Sequence, residues 1–215
     1  MQWNFGDILD TIIPLMPEGH PALIHGERVI TWQEFDKRSN NLARNMLEHG
    51  AVYGDKVGFY MRNRPEYTET LAACFRARLA HVNVNYRYVA DEVHYIFDNS
   101  DATVVVYGAE FRDNILQLMD RLPKVKLWIE VDGTEDKPAG VIGYETLTTN
   151  GNGENLGIER SGSDLLLLYT GGTTGMPKGV MWEHHNLREA QTLTLRALGD
   201  VPESYDELID FLKSQ

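Results

Sequence analysis

The chain has 215 residues, 42% of them hydrophobic and 24% charged, with a formal net charge of −12. That composition is ordinary for a globular protein that buries a core, as one large domain or two small ones. The negative charge argues against nonspecific nucleic-acid binding, which needs a basic face, while leaving room for a local basic pocket, and a single cysteine, Cys74, excludes an intrachain disulfide and implies a reducing compartment.

Helix and strand signals alternate along the chain. A short amphipathic helix is predicted from about Phe5 to Leu15, stopped near Pro17. Ala22–His25 and Arg28–Ile30 read as a hairpin around Gly26-Glu27. Thr31-x-x-Glu34 is a capping box for a helix whose buried face carries Phe35, Leu42 and Met46 and which stops at Gly50. A turn at Gly54-Asp55 leads into a strand over Lys56–Met61. Pro65 suits a first helical position, so a helix is predicted from there to about Ala80. Cys74 falls inside it and reads as a small buried hydrophobe. Three further strands, Val82–Val84, Thr103–Tyr107 and Val125–Val131, are separated by helices at Ala90–Asn99 and Glu110–Leu122. From Asp132 to Gly162 the pattern dissolves into a connector in which only Tyr144–Leu147 reads as ordered. Order returns with strand Leu165–Tyr169, a short strand Val180–Trp182 and a helix from about Asn186 to Leu198. Strands and helices alternating at this spacing predict an α/β fold, a mostly parallel sheet covered by helices on both faces.

Between the last two strands lies Tyr169-Thr170-Gly171-Gly172-Thr173-Thr174-Gly175-Met176-Pro177-Lys178-Gly179. Glycines let the main chain approach a ligand and adopt positive φ. Successive free N–H groups form an anion-binding concavity, the threonine hydroxyls add donors, and Lys178 supplies a mobile positive charge. This is the chemistry of a polyphosphate cradle. It is not the Walker loop, G-x-x-x-x-G-K-[ST]: Pro177 precedes the lysine, lacks an N–H and has a fixed φ, and Gly179 follows where a magnesium-binding hydroxyl belongs.

The run resembles the phosphate-loop signature of the adenylate-forming, AMP-binding superfamily, [YF]-T-[SG]-G-[ST]-T-G-x-P-K-G, in its acyl-CoA synthetase branch. Looser matches in the same order extend the likeness over nearly the whole chain. These are Thr31-Trp32-x-Glu34, Gly54-Asp55-Lys56-Val57, Asn63-Arg64-Pro65-Glu66-Tyr67, and Asn83-Val84-Asn85-Tyr86-Arg87 with Asp91-Glu92. The resemblance implies a ligase that uses ATP with Mg2+ to turn a carboxylate into an acyl-adenylate and pyrophosphate, then passes the acyl group to the thiol of coenzyme A. It implies that Thr170, Gly171, Gly172, Thr173, Thr174 and Gly175 bind the nucleotide phosphates, and that Lys178 steadies the loop or the leaving pyrophosphate, the one catalytic assignment. His184 matches a histidine that the family places after the loop and is the candidate for the acyl pocket. His185 and Trp182 read as a solvated neighbour and as packing.

Two units are expected: residues 1–160 as a first α/β subdomain, and 161–215 as the opening of a second that carries the loop. The family's Tyr-Gly-x-Thr-Glu segment, its ribose-binding aspartate and its late lysine have no counterpart here. The expectation is therefore the N-terminal part of an acyl-CoA synthetase for a fatty or other hydrophobic carboxylate, with no metal ligand of its own and unable to complete adenylation alone. An aryl or amino-acid adenylating fragment, and a nucleotide-binding or interaction module without catalysis, are the alternatives. No apolar run approaches the length of a membrane span and the N-terminus lacks signal-peptide features. The reading is a cytoplasmic protein, with transient contact at membrane surfaces as the means of collecting a lipid substrate.

Overall fold

The computed structural model describes residues 2–134, 136–170, 176–197 and 199–214. Helix α1 (Phe5–Ile12) continues into a 3-10 turn at Ile13–Leu15, and its first turn is capped by Asn4, whose side chain accepts from the Gly6 N–H. Strands β1 (Pro21–His25) and β2 (Arg28–Thr31) form the expected antiparallel hairpin. Helix α2 (Trp32–Glu48) begins where the capping box puts it, with Thr31 accepting from the Glu34 N–H, and Gly50 beyond its end has φ +93°, a left-handed value that glycine adopts without a Cβ penalty.

The main sheet has seven strands in the order β7-β6-β5-β3-β4-β8-β9. They are β3 (Lys56–Tyr60), β4 (Ala80–Asn83), β5 (Ala102–Gly108), β6 (Leu127–Val131), β7 (Val141–Gly143), β8 (Leu165–Thr170) and β9 (Lys178–Glu183). Every pairing is parallel except β8 with β9, so the fold class agrees with the sequence reading. Side chains alternate across the strands. Val104, Val106, Leu127 and Ile129 face one core with Leu42, Met46 and Cys74 from α2 and from α3 (Pro65–Ala77) and Tyr144 and Leu147 from α6 (Tyr144–Thr149). Val105, Tyr107 and Trp128 face the other with Val93, Ile96 and Phe97 of α4 (Ala90–Asn99) and Ile115 of α5 (Arg112–Leu116). Cys74 is buried in the first core, as read.

Several boundaries differ from the sequence reading for physical reasons. The helix from Pro65 ends at Ala77, not Ala80, because Arg78 turns left-handed at φ 57° and β4 starts at Ala80. Asp164 grips the Arg78 guanidinium at 2.7 Å, holding a conformation that a non-glycine residue rarely takes. The predicted helix Glu110–Leu122 is broken into 3-10 turns at Ala109–Phe111 and Met119–Arg121 around the short α5. The connector holds an extra edge strand, β7, besides α6. After α7 (His184–Arg196) comes α8 (Tyr205–Lys213), capped by Ser204 and packed on α1, with the Tyr205 ring 4.7 Å from that of Trp3 just before α1. Among the described residues no helix is long and apolar enough to cross a membrane.

Gly58 sits mid-sheet on β3, where an added Cβ would meet the Phe97 ring at 2.3 Å. Gly58→Ala is expected to lower the unfolding free energy by about 1–3 kcal/mol through overpacking, read from urea denaturation. An unchanged midpoint would show that α4 yields without cost.

Candidate phosphate-binding hairpin

The sheet's order reverses at β3, which lies between β4 and β5, and parallel sheets of this kind place ligands beyond the carboxyl ends of their strands. β8 runs parallel to β4 and so delivers Thr170 to that edge, where β9 starts back antiparallel at Lys178. Thr170 and Lys178 are cross-strand partners, and both are exposed. They frame the glycine- and threonine-rich run. Gly171, Gly172, Thr173, Thr174 and Gly175, the central phosphate-binding candidates, lie outside the described residues.

The strand leading into the run is anchored on both sides. The Tyr169 N–H donates to Asn83 Oδ1 at 2.7 Å, and Asn83 Nδ2 donates back to the Tyr169 carbonyl at 3.4 Å. The Tyr169 hydroxyl donates to Asn99 Oδ1 at 2.8 Å. Its ring lies across Gly179, its cross-strand partner, where a Cβ would come within 2.9 Å of the ring.

His184 is elsewhere. β9 carries the chain away from the Thr170–Lys178 end, and His184 follows at the hairpin's base, where its N–H donates to the Asp164 carbonyl at 2.9 Å. Its Nδ1 accepts from the Phe5 N–H at 3.4 Å, and its ring packs on Phe5 and Phe75 at 5.2 and 4.8 Å. Burial pushes its pKa down to about 4, against the opposing pull of Asp164. The structure therefore does not bring His184 together with Thr170 and Lys178; it places the ring between α1 and α3. His185 Nδ1 accepts from the Trp3 N–H at 3.3 Å, and Trp182 is half-buried on β9.

The profile of the AMP-binding enzyme family matches residues 15–208. The chain belongs to that family. It is 41% identical over 190 residues to a 3-oxocholest-4-en-26-oate–CoA ligase of Rhodococcus rhodochrous, covering 87% of this chain and 34% of that protein. A medium/long-chain fatty-acid and 3-oxocholest-4-en-26-oate–CoA ligase of Mycobacterium marinum is 36% identical over 191 residues, covering 86% of this chain and 34% of the relative. In fold, it is similar to a putative long-chain fatty-acid CoA ligase of Rhodopseudomonas palustris, with a TM-score of 0.79 at 23% identity over 91% of this chain and 48% of that one. The chain thus spans about a third of the length of the curated relatives it matches.

In this AMP-binding chain the residues that hold the hairpin, Asn83, Asn99, Arg78 and Asp164, escaped the sequence reading. The signal available was an asparagine at the end of a strand, where a side-chain amide can stand in for a peptide group.

Proposed function

We propose that this chain is the N-terminal portion of an ATP-dependent acyl-CoA synthetase and that residues 170–178 cradle the phosphates that leave as pyrophosphate. The observation that carries this reading is the Thr170–Lys178 pair at the carboxyl edge of the parallel strands, framing a run of glycines and threonines. Residues 1–160 form the first subdomain, and 161–215 open the second by contributing the hairpin, although β8 joins β4 in the same sheet. ATP supplies an electrophilic phosphorus and a leaving pyrophosphate. The Thr170 hydroxyl donates to phosphate oxygen, while the Lys178 ammonium offsets their charge as a point cation. The reading extends to a hydrophobic carboxylate as acyl donor and coenzyme A as acceptor, in line with the names of the relatives. Among the described residues no group of three or more His, Cys, Asp or Glu gathers to hold a metal.

Calorimetric titration of the 215-residue chain with ATP and with inorganic pyrophosphate tests this. Lys178→Ala is expected to weaken both by about 10- to 100-fold, the loss of a charge-assisted contact. Failure of the wild-type chain to bind either ligand, or equal binding by the variant, would overturn the assignment.

A further inference from the structure

Where the β4–β8 ladder pairs Val82 with Leu167 it is made by main chain. Beyond it, at the threshold of the glycine-rich run, the connection passes to a side chain. The Asn83 amide presents an acceptor and a donor in the geometry of a peptide group and engages both polar groups of Tyr169, at 2.7 and 3.4 Å. An ordinary strand neighbour would bond through its own backbone and leave its side chain free. Here the fastening depends on one residue's identity. The Tyr169 ring adds a second fastening. It spans Gly179 on the returning strand and reaches Asn99, the last residue of α4, at 2.8 Å. Tyr169 is 9% exposed, so its hydroxyl sits at the border of the core. Both stems of the run are therefore referred to rigid elements: Tyr169 to β4 and α4, and Gly179 to the Tyr169 ring.

We infer that Asn83 and Asn99 are positioning residues for the phosphate-binding hairpin: they hold Tyr169, and through it Thr170 and Gly179, at a fixed height above the sheet edge. The inference rests on the phosphate-loop reading above. A cradle built from backbone N–H groups works only when its stems are held to a fraction of an ångström, and that tolerance comes from the groups supporting it. It also gives Gly179 a structural reason within the run: any side chain there would displace the Tyr169 ring.

The test uses the full chain and reads two quantities, pyrophosphate affinity and residue-resolved amide exchange. Asn83→Ala is expected to weaken pyrophosphate binding by about tenfold and to speed exchange at Tyr169 and the neighbouring strand residues, while distant strands such as β6 keep their protection. Asn83→Asp keeps the acceptor for the Tyr169 N–H, so that amide stays protected. Tyr169→Phe removes only the link to Asn99 and costs about two- to threefold in affinity. Arg38→Met, which breaks the buried Arg38–Glu69 pair between α2 and α3 away from β4 and α4, serves as control and keeps wild-type affinity, which separates positioning from general loss of stability. Unchanged pyrophosphate affinity in Asn83→Ala, or unchanged exchange at Tyr169, overturns the inference. If Asn83→Ala fails to fold, the pyrophosphate affinities of Asn83→Asp, which loses the Nδ2 donor to the Tyr169 carbonyl, and of Tyr169→Phe decide it, and wild-type affinity in both overturns the inference. A wild-type chain that binds neither pyrophosphate nor ATP removes the phosphate-loop reading, and the exchange data still decide whether Asn83 holds Tyr169.

Discussion

Arg38→Met is expected to lower the unfolding free energy by about 3–5 kcal/mol, the cost of leaving a buried charge without its partner. Arg38 lies on α2 and donates from Nε and Nη2 to the two carboxylate oxygens of Glu69 on α3, at 2.8 and 3.1 Å. It donates again to both oxygens of Glu145 on α6 at 2.8 Å. The two carboxylates are not equivalent: the Glu69 side chain is fully buried, whereas that of Glu145 is 64% exposed. Burial raises the Glu69 pKa even with Arg38 beside it, and the hydrogen bonds from Arg38 lower that of Glu145. Removing the guanidinium leaves Glu69 with the Tyr144 hydroxyl at 2.9 Å as its remaining side-chain donor.

Urea denaturation of Arg38→Met, Glu145→Gln and Arg38→Met/Glu69→Gln distinguishes the partners. Glu145→Gln should cost under about 1 kcal/mol, as exposed pairs do. The double variant should recover part of the Arg38→Met loss, because a neutral amide can remain at position 69 with Tyr144. The sign with pH is also determined. In Arg38→Met the folded-state pKa of Glu69 rises further above its unfolded value, so the native state binds the extra proton and the deficit shrinks as pH falls. If Arg38→Met cost no more than Glu145→Gln, the buried half of the network would not be holding α2 to α3.

The parts of the fold legible in the sequence are those specified by neighbours along the chain. The Thr31 cap, the Gly50 stop and α4 from Ala90 to Asn99 depend on groups a few residues apart, and each appears where composition puts it. The alternation of Val104 to Tyr107 shows which residues face which core once the strand is recognised. What escaped was set by register and by distant partners. Asn83 and Tyr169 are 86 residues apart, and nothing local marks the asparagine as a surrogate peptide. His184 follows the loop closely in sequence. A six-residue strand running the other way puts it at the opposite end of the hairpin. The three-residue β7 and the break in the helix after β5 are too short to leave a periodic signal.

Acidification should destabilise the chain through two buried histidines, by about 3 kcal/mol each between neutral pH and pH 4. His81 on β4 is 4% exposed, has its Nε2 2.8 Å from the Tyr67 hydroxyl, and packs edge-on against Phe59 at 4.5 Å. Among the described residues its Nδ1 has no hydrogen-bond partner. His184 is 1% exposed and its Nε2 is likewise unpartnered. Burial holds both pKa values near 4, below the ordinary 6.5. Between those two values the unfolded chain binds protons that the native chain does not, so stability is fully present above about pH 6.5 and falls as pH drops toward 4. Glu145, held below its ordinary value by Arg38, contributes a further loss lower on the scale, and that loss is common to wild type and to any histidine variant. The measurement is therefore a slope. Unfolding free energies of wild type, His81→Gln and His184→Gln are compared across the window, and each glutamine should remove about half of the histidine-dependent decline whatever its cost at neutral pH. Parallel profiles for all three proteins would mean that acid opens the α1–α3–β4 region before either ring must take its proton inside the core.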